Sequence, residues 1–152
     1  MPLDHIGINV TDPVKSTTFY TSALAPLNYG KLMEVPKEYT NGVAVIGFGS
    51  TITKHADLWI TEGPNKQTPP VHVAFKAENH AQVDAFYKAA LASGGKDNGP
   101  PGPRPDYHKD YYAAFVHDPD GHNIEVVCLV PQTEAASPSK EGGADKKQKQ
   151  DN

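Results

Sequence analysis

The chain has 152 residues, 38% of them hydrophobic and 21% charged, with a formal net charge of −4. The negative balance gives a nucleic-acid partner no electrostatic support. No apolar run reaches the length of a membrane span or forms a secretory signal. One cysteine, Cys128, cannot make an internal disulfide or a Cys-rich zinc knuckle. These features predict a cytoplasmic globular protein with one core or two small fused halves.

Residues 3–10 alternate as a strand, with His5, Gly7 and Asn9 on one face and Ile6, Ile8 and Val10 on the other. Thr11-Asp12-Pro13 then supplies a cap and a first-turn proline for a helix over 13–25, with Val14, Thr17, Thr18, Phe19 and Leu24 toward its apolar side. Pro26 to Gly30 ends it. Strands are expected over 32–36, 42–48 and 56–61, and 62–70 reads as a linker by composition.

The pattern then restarts with a strand over 71–76 and a helix over 81–93 that stops at Gly94-Gly95. Laying His5 on His72 without a gap also lays Phe19 on Phe86, Tyr20 on Tyr87, and Ala23-Leu24-Ala25 on Ala90-Leu91-Ala92. Similar helices collect Ala and Leu. They do not by themselves repeat a histidine at one strand position, so the chain reads as a duplicated unit.

A loop rich in Gly and Pro follows over 96–110, where Asn98 to Pro105 suits neither helix nor central strand. It carries Arg104, Tyr107, His108 and Tyr111 and is long enough to serve as a lid. Asp118-Pro119-Asp120-Gly121 turns a hairpin between apolar runs at 112–116 and 124–130. From 131 to 152 the composition predicts a disordered tail, with Lys146, Lys147 and Lys149 as solvated charges.

The hairpin places one acid, Glu125, inside an apolar strand. It must face water, find a partner or bind a cation. Each half reads as strand, helix and about three strands. If the halves pack with pseudo-twofold symmetry, His5, His72 and Glu125 converge in one concave sheet. Two imidazoles and one carboxylate are a common shell for a divalent metal with positions left open. Singly, either histidine reads more simply as a strand residue bonded to backbone. His55, His80, His117 and His122 read as surface or helix-start residues, and Cys128 as a small core side chain.

The paired pattern, the strands DHIGINV and VHVAF and the hairpin DPDGHNIEVV resemble the vicinal oxygen chelate superfamily, which includes glyoxalase I, extradiol dioxygenases, fosfomycin-resistance thiol transferases and bleomycin-resistance proteins. The similarity covers about residues 1–130. It implies an α+β fold of two tandem βαβββ modules, about 1–62 and 71–130, forming a concave mixed sheet. It also implies metal ligands at His5, His72 and Glu125. Glyoxalase I has a further acid on the last strand of its first half. Here Asp57 can serve as that fourth ligand, or Trp59 on the same face can line the pocket. The activity implied is that of a metal-dependent lyase, isomerase or dioxygenase acting on a small molecule with vicinal oxygens. The metal would be zinc, iron, manganese or nickel. His108 or Glu125 would move the proton, and Arg104, Tyr107 and Tyr111 would contact the substrate. A metal-free protein that sequesters small molecules, as in bleomycin resistance, is the alternative. The chain would act as a monomer or a homodimer with exchanged halves.

Overall fold

The computed structural model describes residues 3–131. The predicted tail lies outside the described residues from 132 onward. Two strand–helix–three-strand units follow one another. The first comprises β1 (Ile6–Val10), α1 (Pro13–Leu24), β2 (Tyr29–Val35), β3 (Val45–Ser50) and β4 (Ala56–Glu62). The second comprises β5 (His72–Lys76), α2 (His80–Ala92), β6 (Lys96–Pro103), β7 (Tyr112–His117) and β8 (Asn123–Cys128). Their sheets have matching orders, β1-β4-β3-β2 and β5-β8-β7-β6. In each, the opening strand pairs in parallel with the closing one and the other pairings are antiparallel. The duplication read from the histidines is thus present in the topology.

Local chemistry sets the element ends. Asp12 caps α1 by accepting from Val14 N and Lys15 N at 3.1 Å each, with Pro13 in the first turn. A short 3-10 turn over Ala25–Leu27 follows, ended by Asn28 at φ 56°. Asn79 caps α2 through Gln82 N at 3.0 Å. Gly94, at φ 99°, takes the left-handed conformation just past the end of α2.

The buried stripe of α1 is Ser16, Phe19, Tyr20, Ala23 and Leu24. This differs from the expected side: Val14 is 75% exposed. The corresponding α2 stripe is Val83, Phe86 and Ala90. The two helices pack on each other, and a single core joins Ile8, Phe48 and Ile60 of the first unit to Val116, Ile124 and Val126 of the second. At the junction Gly95 lets the chains approach closely. A Cβ there would lie 2.7 Å from the Phe19 ring and 2.5 Å from Val116.

Three expectations need correction. The Gly/Pro stretch at 96–103 is not a loop but strand β6. It tolerates its prolines because it is an edge strand, bulged twice against β7, where ladder bonds can be omitted. His122 is not a surface residue but fully buried. Its Nδ1 accepts from Val71 N (3.2 Å) and its Nε2 donates to Asn9 O (2.9 Å). One ring thereby ties the β7–β8 turn to β1 and to the entry of β5. His117 is half-buried rather than free at the surface.

The acids of the same turn complete this staple. Asp118 accepts from Tyr20 Oη (2.7 Å) and from the backbone N–H of Asp120 and His122. Asp120 accepts from Thr11 N and Thr11 Oγ1. Burial, reinforced by the Asp118 charge, pushes the Tyr20 hydroxyl well above its ordinary range, so it stays a donor. Cys128 is buried, as expected of a small core side chain.

Candidate metal and substrate site

Each sheet turns one face to the helices and one face outward. On the second sheet the parallel register sets Ala74 beside Glu125, and the antiparallel register sets Phe115 on its other side. His72, two residues before Ala74, shares that outer face. Its Nε2 lies 2.8 Å from Glu125 Oε2. Glu125 is only 2% exposed, so its oxygens need partners within the protein. The other carboxylate oxygen, Oε1, accepts from Tyr111 Oη at 2.5 Å. Burial and the Glu125 carboxylate push the Tyr111 hydroxyl up to about 12.

The segment 104–111 closes on itself. Arg104 N donates to Tyr111 O at 2.7 Å, Tyr107 N to Arg104 O at 3.0 Å, and Tyr111 N to His108 O at 3.0 Å. The Tyr107 ring meets the Tyr111 ring edge-on at 5.3 Å, with Tyr107 69% exposed at the tip. The Arg104 guanidinium lies over the Phe115 ring, 5.7 Å from its centre, and the His72 ring lies 6.3 Å from that same centre. Gly99 and Gly102 make this room. A Cβ on either would come to 3.1 Å from Phe115 or from Arg104. His108 is exposed, with Nδ1 accepting from Asp110 N, and does not meet Glu125.

His5 lies elsewhere. It precedes β1 and bonds Asp4 (2.7 Å), whose other oxygen lies 3.5 Å from His55. His5 and His72 do border one cavity of about 420 Å³, together with Leu27, Tyr29, Asp57 and Phe75. Asp57 accepts from Tyr29 Oη. Burial raises its carboxyl above the ordinary range, the Asp4 charge adding to the effect. Trp59 packs instead over Gly47 of β3. Among the described residues, no three His, Cys, Asp or Glu side chains gather closely enough to hold an ion.

The fold therefore unites His72, Glu125 and Tyr111, with Arg104 over the neighbouring Phe115 ring, while His5 and Asp57 share a cavity wall with His72 but do not bond to it. Sequence reasoning missed Phe115, Tyr29 and Phe75. The first was within reach, since period-two alternation along Ala113-Ala114-Phe115 sets it on the face of Glu125.

The twin βαβββ units agree with the fold expected from the sequence. A family model described as Glyoxalase/Bleomycin resistance protein/Dioxygenase superfamily matches residues 2–126, and the chain belongs to that superfamily. Among solved structures it is similar to a glyoxalase/bleomycin resistance protein from Albidiferax ferrireducens, at 28% identity and TM-score 0.62, covering 82% of this chain and 96% of that one. It is also similar in fold to the fosfomycin resistance protein FosX from Listeria monocytogenes, at 22% identity and TM-score 0.59, covering 84% and 93%. A FosX structure with Mn(II) and sulfate aligns at 20% identity and TM-score 0.58, covering 83% and 90%. No curated protein matches. No helix among the described residues is long and apolar enough to cross a membrane.

Proposed function

We propose that this chain is a metal-dependent glyoxalase-like enzyme, of lyase, isomerase or dioxygenase type, acting on a small molecule with oxygens on adjacent carbons. The observation that carries the reading is the approach of His72 Nε2 to Glu125 Oε2 at 2.8 Å on an outer sheet face. Two donors bound to one divalent cation lie about 3 Å apart, so this pair fits two positions of a shell. A zinc, iron, manganese or nickel ion there would act as a Lewis acid toward two adjacent substrate oxygens. The fold shared with Mn(II)-bound FosX supports the same choice.

Each residue then has a task. His72 offers its ring nitrogen. Glu125 offers Oε2, while Tyr111 occupies Oε1 and so keeps the carboxylate to one ligating oxygen. Asp57, engaged by Tyr29, belongs to the cavity wall. His108, with Nε2 open to water, is the loop group that can exchange a proton.

The third ligand is His5 from a second copy of the chain. Opening strands β1 and β5 are each an edge of their own four-stranded sheet. Setting β1 of one copy beside β5 of another would cover both edges and bring an imidazole to His72 and Glu125. One observation favours a second reading. The apolar wall of the cavity (Leu27, Tyr29, Leu58, Phe75) suits sequestration of an aromatic molecule without metal.

Metal analysis of untagged protein separates the two. Stoichiometric metal that is lost in His72→Ala supports the enzyme. Full-length protein that takes up none of the four ions supports sequestration.

A further inference from the structure

We infer that the substrate of this site carries an anionic group, a carboxylate or its phosphonate equivalent, remote from the chelated oxygens and received by Arg104. The inference rests on the metal-site reading above and deepens it. The Arg104 guanidinium lies over the ring of Phe115, which is the register partner of Glu125 and has its centre 6.3 Å from that of the His72 ring. It takes part in none of the ion pairs among the described residues.

The guanidinium is fixed without being neutralised. Nη1 donates to Pro103 O (3.1 Å) and Nη2 to Pro100 O (2.8 Å). Neutral carbonyls use two of its five N–H donors, orient the fork and leave its full charge. Phe115 shields one side from water, which strengthens any anion contact on the other. The Arg104 N–Tyr111 O bond also fixes the cation relative to the phenol that holds Glu125. A neutral substrate would leave this half-buried, oriented charge unmatched. A small hydroxy or oxo acid with a second anionic end would match it, through charge-assisted, forked hydrogen bonds.

The test uses full-length protein loaded with Mn(II), loading being verified by electron paramagnetic resonance. Calorimetry compares (S)-malate with (S)-2-hydroxybutyrate, and 2-hydroxyglutarate with 2-hydroxypentanoate. Within each pair the chelating end is the same and the far carboxylate becomes a methyl. We expect at least one diacid to bind about tenfold or more tighter than its methyl analogue. Arg104→Met should abolish that preference while leaving the methyl analogue's binding intact. Arg104→Lys should retain part of it. Lys88→Met, which removes a charge on α2, should retain all of it. Equal binding within both pairs by Mn(II)-loaded wild type overturns the inference and spares the metal site. So does a preference that survives Arg104→Met. Failure to load Mn(II), zinc, iron or nickel overturns both.

Discussion

Tyr111 and His72 hold opposite oxygens of one buried carboxylate. Tyr111 Oη lies 2.5 Å from Glu125 Oε1, and His72 Nε2 lies 2.8 Å from Glu125 Oε2. The first partner comes from the loop after β6 and the second from the opening strand of the same unit, so the state of Glu125 couples the loop to the sheet. Tyr111→Phe removes the donor but keeps the ring against Tyr107. Glu125 then loses the donor that orients its carboxylate toward a cation. We expect metal affinity to fall about 10–100-fold, the usual effect of losing an outer-shell partner. Glu125→Gln and His72→Ala should abolish stoichiometric binding. Equilibrium dialysis of the three variants checks the order. Equal losses in all three would make Tyr111 a direct ligand instead.

Exchange between copies makes a sharper prediction. His5→Ala and Glu125→Gln should each be inactive alone. Mixed and allowed to exchange, they form a pair with one doubly altered site and one intact site. About half the wild-type metal should then return in each mixed pair, a consequence of twofold symmetry. Metal content of the mixture after brief partial unfolding and refolding reads this out. If nothing returns, His5 either acts within its own chain or does not ligate.

These expectations lean on residues that were unequally visible in the sequence. The repeat was legible because His5 and His72 align without a gap ahead of matching helices, and Glu125 stood out as an acid within an apolar run. Strand β6 was not legible. Its Pro and Gly content opposes a ladder, and only its place at the sheet edge, fixed by tertiary packing, permits it. The staple at His122 was hidden for a related reason. Local sequence marks a turn, whereas its burial comes from docking that turn onto β1 of the other unit. The separation of His5 from Glu125 depends on how the units pack, which periodicity does not encode.

The staple predicts where stability concentrates. His122 satisfies Val71 N–H, just before β5, and Asn9 C=O of β1 from a fully buried position. His122→Ala leaves both unpaired beside a cavity. Truncation of a buried side chain combined with orphaned polar groups should cost about 3–5 kcal/mol. Urea unfolding followed by circular dichroism measures it. The exposed His55→Ala should change stability by under about 0.5 kcal/mol. A loss for His122→Ala no larger than that for His55→Ala would mean the ring does not join the units.

Tyrosine chemistry gives the last prediction, on alkaline stability. Tyr20, Tyr111 and Tyr112 each donate to a carboxylate, respectively Asp118, Glu125 and Asp84. In each the hydroxyl is raised above the ordinary value of 10.0, by burial first and by the accepting carboxylate second; for Tyr111 it reaches about 12. A folded-state value above the unfolded one means that the folded chain holds its protons longer. The stabilisation is complete below pH 10 and is lost as pH rises toward 12 and beyond. The unfolding free energy should therefore be flat with respect to these groups at neutral pH and decline from about pH 10 upward, where unfolded tyrosines begin to ionise. Tyr20→Phe keeps the buried ring but removes one of these protons, so it should flatten the decline while lowering stability at neutral pH through the unpaired Asp118 oxygen. Urea midpoints of wild type and Tyr20→Phe between pH 8 and pH 11, with tyrosinate absorbance followed in parallel, test both parts. Identical slopes for the two proteins would show that Tyr20 ionises freely and that its bond to Asp118 does not hold the turn.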